Sequence, residues 1–362
     1  TFAKSGTGAA WHNIRLADPL TSDASAEISR NAVYNGTTGI FLGSNRARPT
    51  QNVLIERNYL YGQTEESISL DGFGNNAGLC PVICNGPITA VSNDGNGRLV
   101  VALTMTYATD DIGTQSTYTV SSRSDWANFY LSFGEGSGLE GVYARIMSYD
   151  AGASTLTCNL RTPAANVTVG GDCGVQSGFF HCVIRDNVVQ GSVGASNNSA
   201  TAISVYLNAF GTRVENNTVI GCHQGVLIGA GLMLSTYRTL AYNNVVTKNT
   251  FLACGQVAGG YPTVRFESLY GGPPQYGNVF AHNTVKGGRL YLEKQQNMIF
   301  KDNIVEDATL TLSYMANTLP TADATQIGRT FMKITDDGSG NPTTIEYYVC
   351  KLASGTYSWV AV

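Results

Sequence analysis

The stretch Val214-Glu215-Asn216-Asn217-Thr218-Val219-Ile220-Gly221 contains the pattern that decides the fold. Its first four residues are a hydrophobic residue, two variable residues and an asparagine, and each copy of this motif precedes a short apolar strand. The seven copies end at Asn31, Asn58, Asn187, Asn217, Asn249, Asn283 and Asn303. Their spacings are 27, 129, 30, 32, 34 and 20 residues, so one long gap interrupts an otherwise regular period. Such a period indicates a repeat architecture in which each unit packs only on its neighbours.

The repeat predicts an all-β fold, a right-handed parallel β-helix. Each coil would contain a strand, an asparagine turn, a second strand, a glycine turn and a third strand. Alternate side chains of a strand share one face, so pairs such as Val53 and Ile55 are expected to point into the core. Asparagine tolerates the left-handed backbone conformation of a sharp bend. Asparagine amides stacked at one position can also bond from coil to coil as a ladder.

Composition supports this fold and excludes several function classes. Charged residues are 13% of the chain, about half the usual share, while glycine reaches 41 and tyrosine 19. The net charge of −4 offers no basic face for nucleic acid. The sequence has no apolar run of about 18 residues that would insert into a membrane. No metal-ligand spacing or phosphate-binding loop appears, so neither a metal nor a cofactor is expected.

Breaks in the period divide the chain into five segments. Residues 1–24 are expected to form an N-terminal cap, 25–74 the first coils, and 75–178 an inserted β-domain. Residues 179–316 would form the main coils, and 317–362 a small β cap whose aromatic end suits an oligomer contact. The inserted domain either stabilises the coils or forms one wall of a binding groove. Because Thr1 is not an initiator methionine, the sequence is expected to be a processed product or a fragment that lacks an N-terminal region.

The eight cysteines leave the redox compartment open. Cys182, Cys222 and Cys254 fall in the coils, where we expect them to act as small buried apolar side chains. The pairs Cys80–Cys84 and Cys158–Cys173 can be disulfides, but the sequence does not require it.

The strand after the glycine turn carries the side chains that can do chemistry, in two outward columns. The first column is Phe41, Ser69, Ser204, Leu227, Arg265, Tyr291 and Thr311, and the second is Gly43, Asp71, Tyr206, Gly229, Glu267, Glu293 and Ser313. Three carboxylates, one arginine and two tyrosines on one face of a charge-poor chain make this face the candidate site. The alternative is an ordinary solvated face with surface ion pairs.

The carboxylates of this face suggest glycosidase chemistry. Glu267 and Glu293 would project from adjacent coils about 5 Å apart, near the separation of a retaining pair, and their mutual repulsion would raise one pKa. Asp71 lies three coils from Glu267, so it would work instead with Glu65 or Glu66 in the same coil. The pair Asp71 and Glu66 would suit an inverting enzyme, which needs room for water.

Four residues are expected to bind substrate: Tyr206, Arg265, Tyr291 and Glu65. Tyr206 and Tyr291 would offer apolar faces to sugar rings, and Arg265 would bind an acidic sugar. Gly229 would leave a dent between Tyr206 and Glu267 in which a sugar ring could lie.

The asparagine-turn coils, the insertion after the coil that carries Glu65, Glu66 and Asp71, and the small aromatic cap together resemble the receptor-binding tailspikes of bacteriophages. The resemblance covers residues 25–362 and lies in architecture, not in a catalytic motif. It implies a right-handed β-helix depolymerase that cuts capsular or O-antigen polysaccharide and assembles as a homotrimer. It also implies attachment to the phage tail or baseplate through the lacking N-terminal region, which places the protein on the virion tail at the host cell surface.

Two other functions fit the same residues. A polysaccharide lyase would use Tyr206 or His181 as the base and Arg265 to neutralise a uronate. A non-enzymatic glycan-binding fibre or adhesin would need only the repeat.

Overall fold

The computed structural model describes residues 2–3, 12–16, 25–43, 49–71, 82–108, 115–119, 126–127, 129–194, 200–233, 237–255, 262–269, 273–313, 330–336, 342–353 and 356–361. The first coils contain β1 (Phe2–Ala3), β2 (His12–Leu16), β3 (Ala26–Ser29), β4 (Ala32–Tyr34), β5 (Thr38–Gly43), β6 (Thr50–Gln51), β7 (Val53–Glu56), β8 (Tyr59–Tyr61) and β9 (Glu66–Asp71). The inserted segment contains β10 (Val82–Asn93), β11 (Arg98–Ala108), β12 (Gln115–Thr119), β13 (Tyr130–Phe133), β14 (Tyr143–Asp150), β15 (Thr155–Arg161), a 3₁₀ turn (Ala164–Asn166) and β16 (Asp172–Gln176).

The main coils and the C-terminal segment contain the remaining strands. The main coils contain β17 (Phe179–Phe180), β18 (Val183–Arg185), β19 (Val188–Gln190), β20 (Thr201–Tyr206), β21 (Ala209–Phe210), β22 (Arg213–Glu215), β23 (Thr218–Ile220), β24 (Gln224–Met233), β25 (Tyr237–Arg238), β26 (Ala241–Tyr242), β27 (Val245–Thr247), β28 (Thr250–Leu252), β29 (Val264–Leu269), β30 (Gln275–Tyr276), β31 (Val279–Ala281), β32 (Thr284–Glu293), β33 (Gln295–Gln296), β34 (Ile299–Lys301) and β35 (Ile304–Ser313). The C-terminal segment contains β36 (Thr330–Asp336), β37 (Pro342–Ala353) and β38 (Thr356–Ala361).

Three stacks of parallel strands build the solenoid and confirm the predicted parallel β-helix. Strands before the asparagine turn stack in the order β3-β7-β18-β22-β27-β31-β34. Strands after that turn stack as β1-β4-β8-β19-β23-β28, and the strands after the glycine turn stack as β2-β5-β9-β20-β24-β29. The strands β32 and β35 each run through the last two stacks without a break, so these stacks join into one 15-stranded sheet.

A fourth stack of two-residue strands was missed by the sequence analysis. It has the order β6-β17-β21-β26, and β30 and β33 pair separately. A strand of two residues is too short to show alternation of apolar and polar side chains, so the pattern that found the other three stacks could not find this one.

The predicted asparagine ladder is present along the whole solenoid. The Nδ2 of each asparagine donates to the Oδ1 of the asparagine in the next coil at 2.9–3.1 Å, from Asn31 to Asn303. Beside the ladder, the inward residues of the first stack pack in a buried column of Ile55, Ile184, Val214, Val246 and Phe280.

The left-handed residue of this turn is not the asparagine, so that part of the prediction was wrong. The residue before each asparagine has a φ between 53° and 57°: Arg30, Arg57, Asp186, Asn216, Lys248, His282 and Asp302. The asparagine side chain is turned into the stack to bond with its neighbours, and the preceding residue makes the bend with its side chain outside.

Strands of the inserted segment form an antiparallel sheet with its own apolar core. Its order is β10-β16-β13-β14-β15-β11-β12, and β10 also pairs with β11, which closes six of the strands into a ring. Trp126, Leu131, Phe133 and Ile146 are buried inside it. The division of the chain at 75 and 178 stays a prediction.

The inserted sheet contacts the solenoid through aromatic side chains. The Tyr130 ring stacks on Phe180 with 3.8 Å between ring centroids, and Phe180 stacks on Phe210 in the next coil. Tyr143 lies against both phenylalanines. The inserted sheet therefore covers the fourth stack of strands.

Five described cysteines are buried and form no disulfide: Cys158, Cys173, Cys182, Cys222 and Cys254. Cys158 on β15 and Cys173 on β16 lie three strands apart around the ring, too far for the disulfide that the sequence left open. Cys80 and the side chain of Cys84 lie outside the described part of the chain. The burial of the three coil cysteines agrees with the sequence analysis.

The C-terminal segment forms a small antiparallel sheet, β36-β37-β38. Residues 314–329 and 337–341 lie outside the described residues, and with them the centre of the predicted hairpin. The role of this segment as a cap stays a prediction.

Candidate functional site

The third stack aligns the candidate residues in the predicted register. Asp71 pairs with Tyr206, Tyr206 with Gly229, and Gly229 with Glu267. In the neighbouring column Leu227 pairs with Arg265, and Arg265 with Tyr291. Regular parallel pairing in these coils makes each column straight, so spacing in the sequence was enough to predict it.

Glu267 and Glu293 meet at the end of β29 and β32. The pairing of Phe266 with Leu292 puts the two glutamates next to each other on adjacent coils. The Arg265 Nε forms an ion pair with the Glu267 carboxylate, and only 16% of the arginine side chain and 2% of the glutamate side chain are exposed. The carboxylate of Glu293 accepts a hydrogen bond from the backbone N–H of Ser268 at 3.2 Å.

Burial raises the pKa of both carboxylates. For Glu267, burial and the charge of Glu293 raise the pKa to about 7, against the lowering effect of the Arg265 guanidinium. For Glu293, burial also raises the pKa, while the Ser268 N–H, Lys294 and Arg265 act in the opposite direction. Because more groups favour the charged form of Glu293, Glu267 is the better proton donor of the two.

Gly229 does not leave the expected dent. A Cβ atom on Gly229 would lie 2.8 Å from Cδ2 of Tyr206 and 3.3 Å from Cδ1 of Leu227. The Tyr206 ring therefore lies over the glycine and occupies the space in which a sugar ring was expected. The absence of a side chain at this position serves the packing of the tyrosine.

Asp71 and Glu66 are not brought together. They lie at opposite ends of β9, five residues and therefore about 16 Å apart, and an odd separation puts their side chains on opposite faces of the strand. Glu66 is half-buried, and burial and the neighbouring Glu65 raise its pKa to about 7, while a hydrogen bond with Thr38 lowers it. Glu65 is exposed. This arrangement does not suit an inverting pair.

Ser268 is the residue of this site that the sequence analysis missed. Its N–H binds Glu293, and its hydroxyl donates to the Pro273 carbonyl at 2.9 Å. Extending the columns by one residue beyond Glu267 would have found its position. Its role as a backbone donor would not have followed, because any residue except proline supplies an N–H.

His181, one of the two bases considered for a lyase, lies elsewhere. It is in the turn between β17 and β18, with its ring 5.7 Å from that of Tyr143 in the inserted sheet. Arg265 lies two coils further along the stack. The structure does not bring this histidine to the arginine.

The inserted sheet forms one wall of a separate groove of about 380 Å³. Its lining residues are Glu140, Gly141, Val142 and Tyr143 from the insertion and Asn243, Tyr276, Gly277 and Asn297 from the coils. This groove lies at the turns that follow the fourth stack, whereas Glu267 and Glu293 lie on the third stack.

Among the described residues, no group of three or more His, Cys, Asp or Glu side chains is placed to hold a metal ion. The same residues include no helix long and apolar enough to cross a membrane.

Comparison with known proteins finds distant similarity among solved structures alone. No protein-family model matches the sequence, and no curated protein matches it. Among solved structures, the chain is similar to the Gp54 tailspike of Acinetobacter baumannii bacteriophage AP22, determined in complex with an A. baumannii capsular saccharide. The identity is 7% and the TM-score 0.23, over 79% of this chain and 46% of that chain. Similarity at this level carries no argument about function.

Proposed function

We propose that the protein is a depolymerase that hydrolyses internal glycosidic bonds of a bacterial surface polysaccharide, with Glu267 and Glu293 as the catalytic carboxylates. The observation that carries the proposal is the meeting of these two glutamates on adjacent coils, with Arg265 paired to Glu267, in a chain with only 13% charged residues. A glycosidase needs two carboxyl groups in different environments, one as the acid and the other as the nucleophile or base.

The spacing of adjacent coils favours a retaining mechanism. Neighbouring strands lie about 4.8 Å apart, close to the ~5–5.5 Å between the carboxyl groups of retaining enzymes. Glu267, with its pKa of about 7, would give its proton to the leaving oxygen while the Glu293 carboxylate attacks the anomeric carbon. Glu267 would then take a proton from the water that releases the sugar from Glu293.

The surrounding residues support a glycan as the substrate. Tyr206 and Tyr291 lie in the same two columns and are half-buried, as aromatic platforms for sugar rings are. Arg265 would bind an acidic sugar. The resemblance of the coils, insertion and cap to tailspikes supports capsule or O-antigen as the polymer, and a homotrimer on the virion tail as the acting form.

The burial of Glu267 favours a second candidate function. A carboxylate with 2% of its side chain exposed and an arginine as its partner can serve to hold a binding surface in shape without reacting. The second candidate is therefore a glycan-binding fibre without hydrolytic activity.

The test compares Glu267→Gln and Glu293→Gln with Glu306→Gln, a matched variant of an exposed glutamate that pairs with Lys286 on the same solenoid. Purified capsular and O-antigen polysaccharides are incubated with each protein, and new reducing ends are counted. The first two variants should lose turnover by orders of magnitude at an unchanged melting temperature, while Glu306→Gln keeps it. Turnover of the unaltered protein should fall as the pH rises through about 7, because Glu267 then loses the proton that it donates.

Three other outcomes would contradict the proposal. Near-normal turnover in both glutamine variants would exclude the pair. Products that absorb in the ultraviolet would indicate a lyase. Binding of a polysaccharide that the unaltered protein never shortens would favour the fibre.

A further inference from the structure

Cys222 and Cys254 occupy the same position in two neighbouring coils. Cys222 follows β23 and Cys254 follows β28, two strands that pair in register from Thr218 with Thr250 to Ile220 with Leu252. The pairing continues through the turn, because the Gly221 N–H donates to the Leu252 carbonyl at 2.9 Å and the Gly255 N–H donates to the Cys222 carbonyl at 3.2 Å. The two cysteines are therefore held opposite each other by backbone hydrogen bonds on both sides.

Their thiols lie side by side, and each is hydrogen-bonded to backbone groups. The Cys254 S–H donates to the Leu252 carbonyl at 3.4 Å, and the Cys222 sulfur accepts the Ser192 N–H at 3.4 Å. Both thiols are free, with 2% of Cys222 and none of Cys254 exposed. The neighbouring Cys254 lowers the pKa of Cys222 against the effect of burial, and the neighbouring Cys222 together with burial raises the pKa of Cys254. Cys222 is thus the more acidic thiol of the two, and the thiolate is the form that attacks a disulfide.

The distance between the two residues suits a disulfide. Neighbouring coils place equivalent Cα atoms about 4.8 Å apart, inside the 4.4–6.8 Å that disulfides span. Cys182 provides the contrast within the same solenoid. It lies in the turn before β18, where the preceding coil has Val53 and the following coil has Thr212, so no thiol faces it.

We propose that Cys222 and Cys254 are a redox site that links two neighbouring coils by a reversible disulfide. With a disulfide such as oxidised glutathione as the oxidant, the Cys222 thiolate attacks one sulfur, forms a mixed disulfide and releases one glutathione thiolate. Cys254 loses its proton and attacks the Cys222 sulfur, and the second glutathione leaves. The two cysteines lose two electrons and two protons, and the oxidant becomes two thiols.

The disulfide would change the stability of the solenoid without changing the course of its backbone. It closes a loop of about 30 residues, one coil, and so restricts the unfolded chain. A protein made with reduced thiols would become more stable once it met an oxidising environment. The inference does not depend on the glycosidase proposal.

The test treats the full chain, first reduced and then freed of reductant, with oxidised glutathione under native conditions. The protein is then unfolded, alkylated and digested for mass spectrometry. We expect a linked peptide pair that contains Cys222 and Cys254, a mass loss of about 2 Da for the two hydrogens, and a higher melting temperature that returns to the starting value on reduction. Cys182 should be recovered alkylated.

Two variants test the order of the steps and keep the proposal falsifiable if one folds poorly. Cys254→Ala should stop at the mixed disulfide, with glutathione on Cys222. Cys222→Ala should leave Cys254 as a free thiol. Recovery of both cysteines as alkylated thiols from the oxidised, folded protein would overturn the proposal, and so would a linked pair that includes Cys182.

Discussion

The asparagine side chain at the end of each repeat motif holds neighbouring coils in register. The Oδ1 of Asn217 accepts two hydrogen bonds from Asn187. One comes from the Asn187 backbone N–H at 3.0 Å and the other from the Asn187 Nδ2 at 2.9 Å. The Nδ2 of Asn217 donates to the Ile184 carbonyl and to Asn249. These asparagines are buried, so their polar groups need hydrogen-bond partners within the protein. The side chain satisfies polar groups of both neighbouring coils.

Replacing Asn217 by alanine should therefore destabilise the solenoid strongly. The substitution removes the acceptor of the buried Asn187 N–H and of one Nδ2 hydrogen of Asn187, at roughly 1–3 kcal/mol for each unpaired group. Asn303→Ala is the matched control, because it removes the same two contacts, from Asn283, but at the half-buried end of the ladder, where water can replace the lost acceptor. Thermal or urea unfolding should rank Asn217→Ala well below Asn303→Ala in stability. Equal losses in the two variants would show that the ladder is not the cause.

Individual side-chain orientations were harder to predict than positions. The motif located the ladder because a buried asparagine must recur at the same place in each coil. It did not show that the bend lies one residue earlier, at Asn216 or Lys248, because the conformational preference of asparagine fitted the bend equally well. The Tyr206 ring lies over Gly229 because of the rotamer that this side chain adopts. The spacing of residues in a sequence does not predict side-chain rotamers.

Strands long enough to show alternating apolar and polar side chains could be predicted from the sequence. The elements between those strands could not. The third stack has strands of at least five residues, so its outward columns could be aligned from the sequence, and Glu267 with Glu293 followed from that alignment. The fourth stack and its cover of Tyr130 and Tyr143 depend on contacts between segments far apart in the chain. The hydrophobic periodicity within one segment does not indicate contacts with another segment.

Removal of the inserted segment tests whether it is a separable module. In the next coil only Leu207 and Asn208 connect β20 to β21, so a Gly-Asn dipeptide should replace residues 72–178 between β9 and β17. The coils should keep their β-structure by circular dichroism, because their core contacts are with neighbouring coils. The melting temperature should fall, since Phe180 and Phe210 lose Tyr130 and Tyr143. Complete loss of β-structure would show that the coils need the insertion to fold.

At the scale of the whole molecule, the last described coil exposes apolar side chains at the end of the stack. Phe300 and Val305 continue the inward columns of Phe280 and Val285, and they are 39% exposed because no further described coil covers them. Ile299 and Ile304 point outward and are 48% and 55% exposed. Soluble monomers rarely leave such apolar residues side by side.

The aromatic C-terminal segment and the resemblance to tailspikes make a homotrimer the expected state of the intact chain, and the exposed coil suggests that the outward isoleucines lie in or near the contact between subunits. Light scattering on the purified protein should give three times the 38.5 kDa chain mass. Ile299→Lys together with Ile304→Lys would bury charges in that contact, which is costly without partners, so this variant should give a smaller assembly. Val169→Lys places the same charge on another exposed apolar residue, in the inserted segment, and should leave the mass unchanged. A monomer mass for the unaltered chain would refute the trimer, and a trimer in the double-lysine variant would place the contact elsewhere.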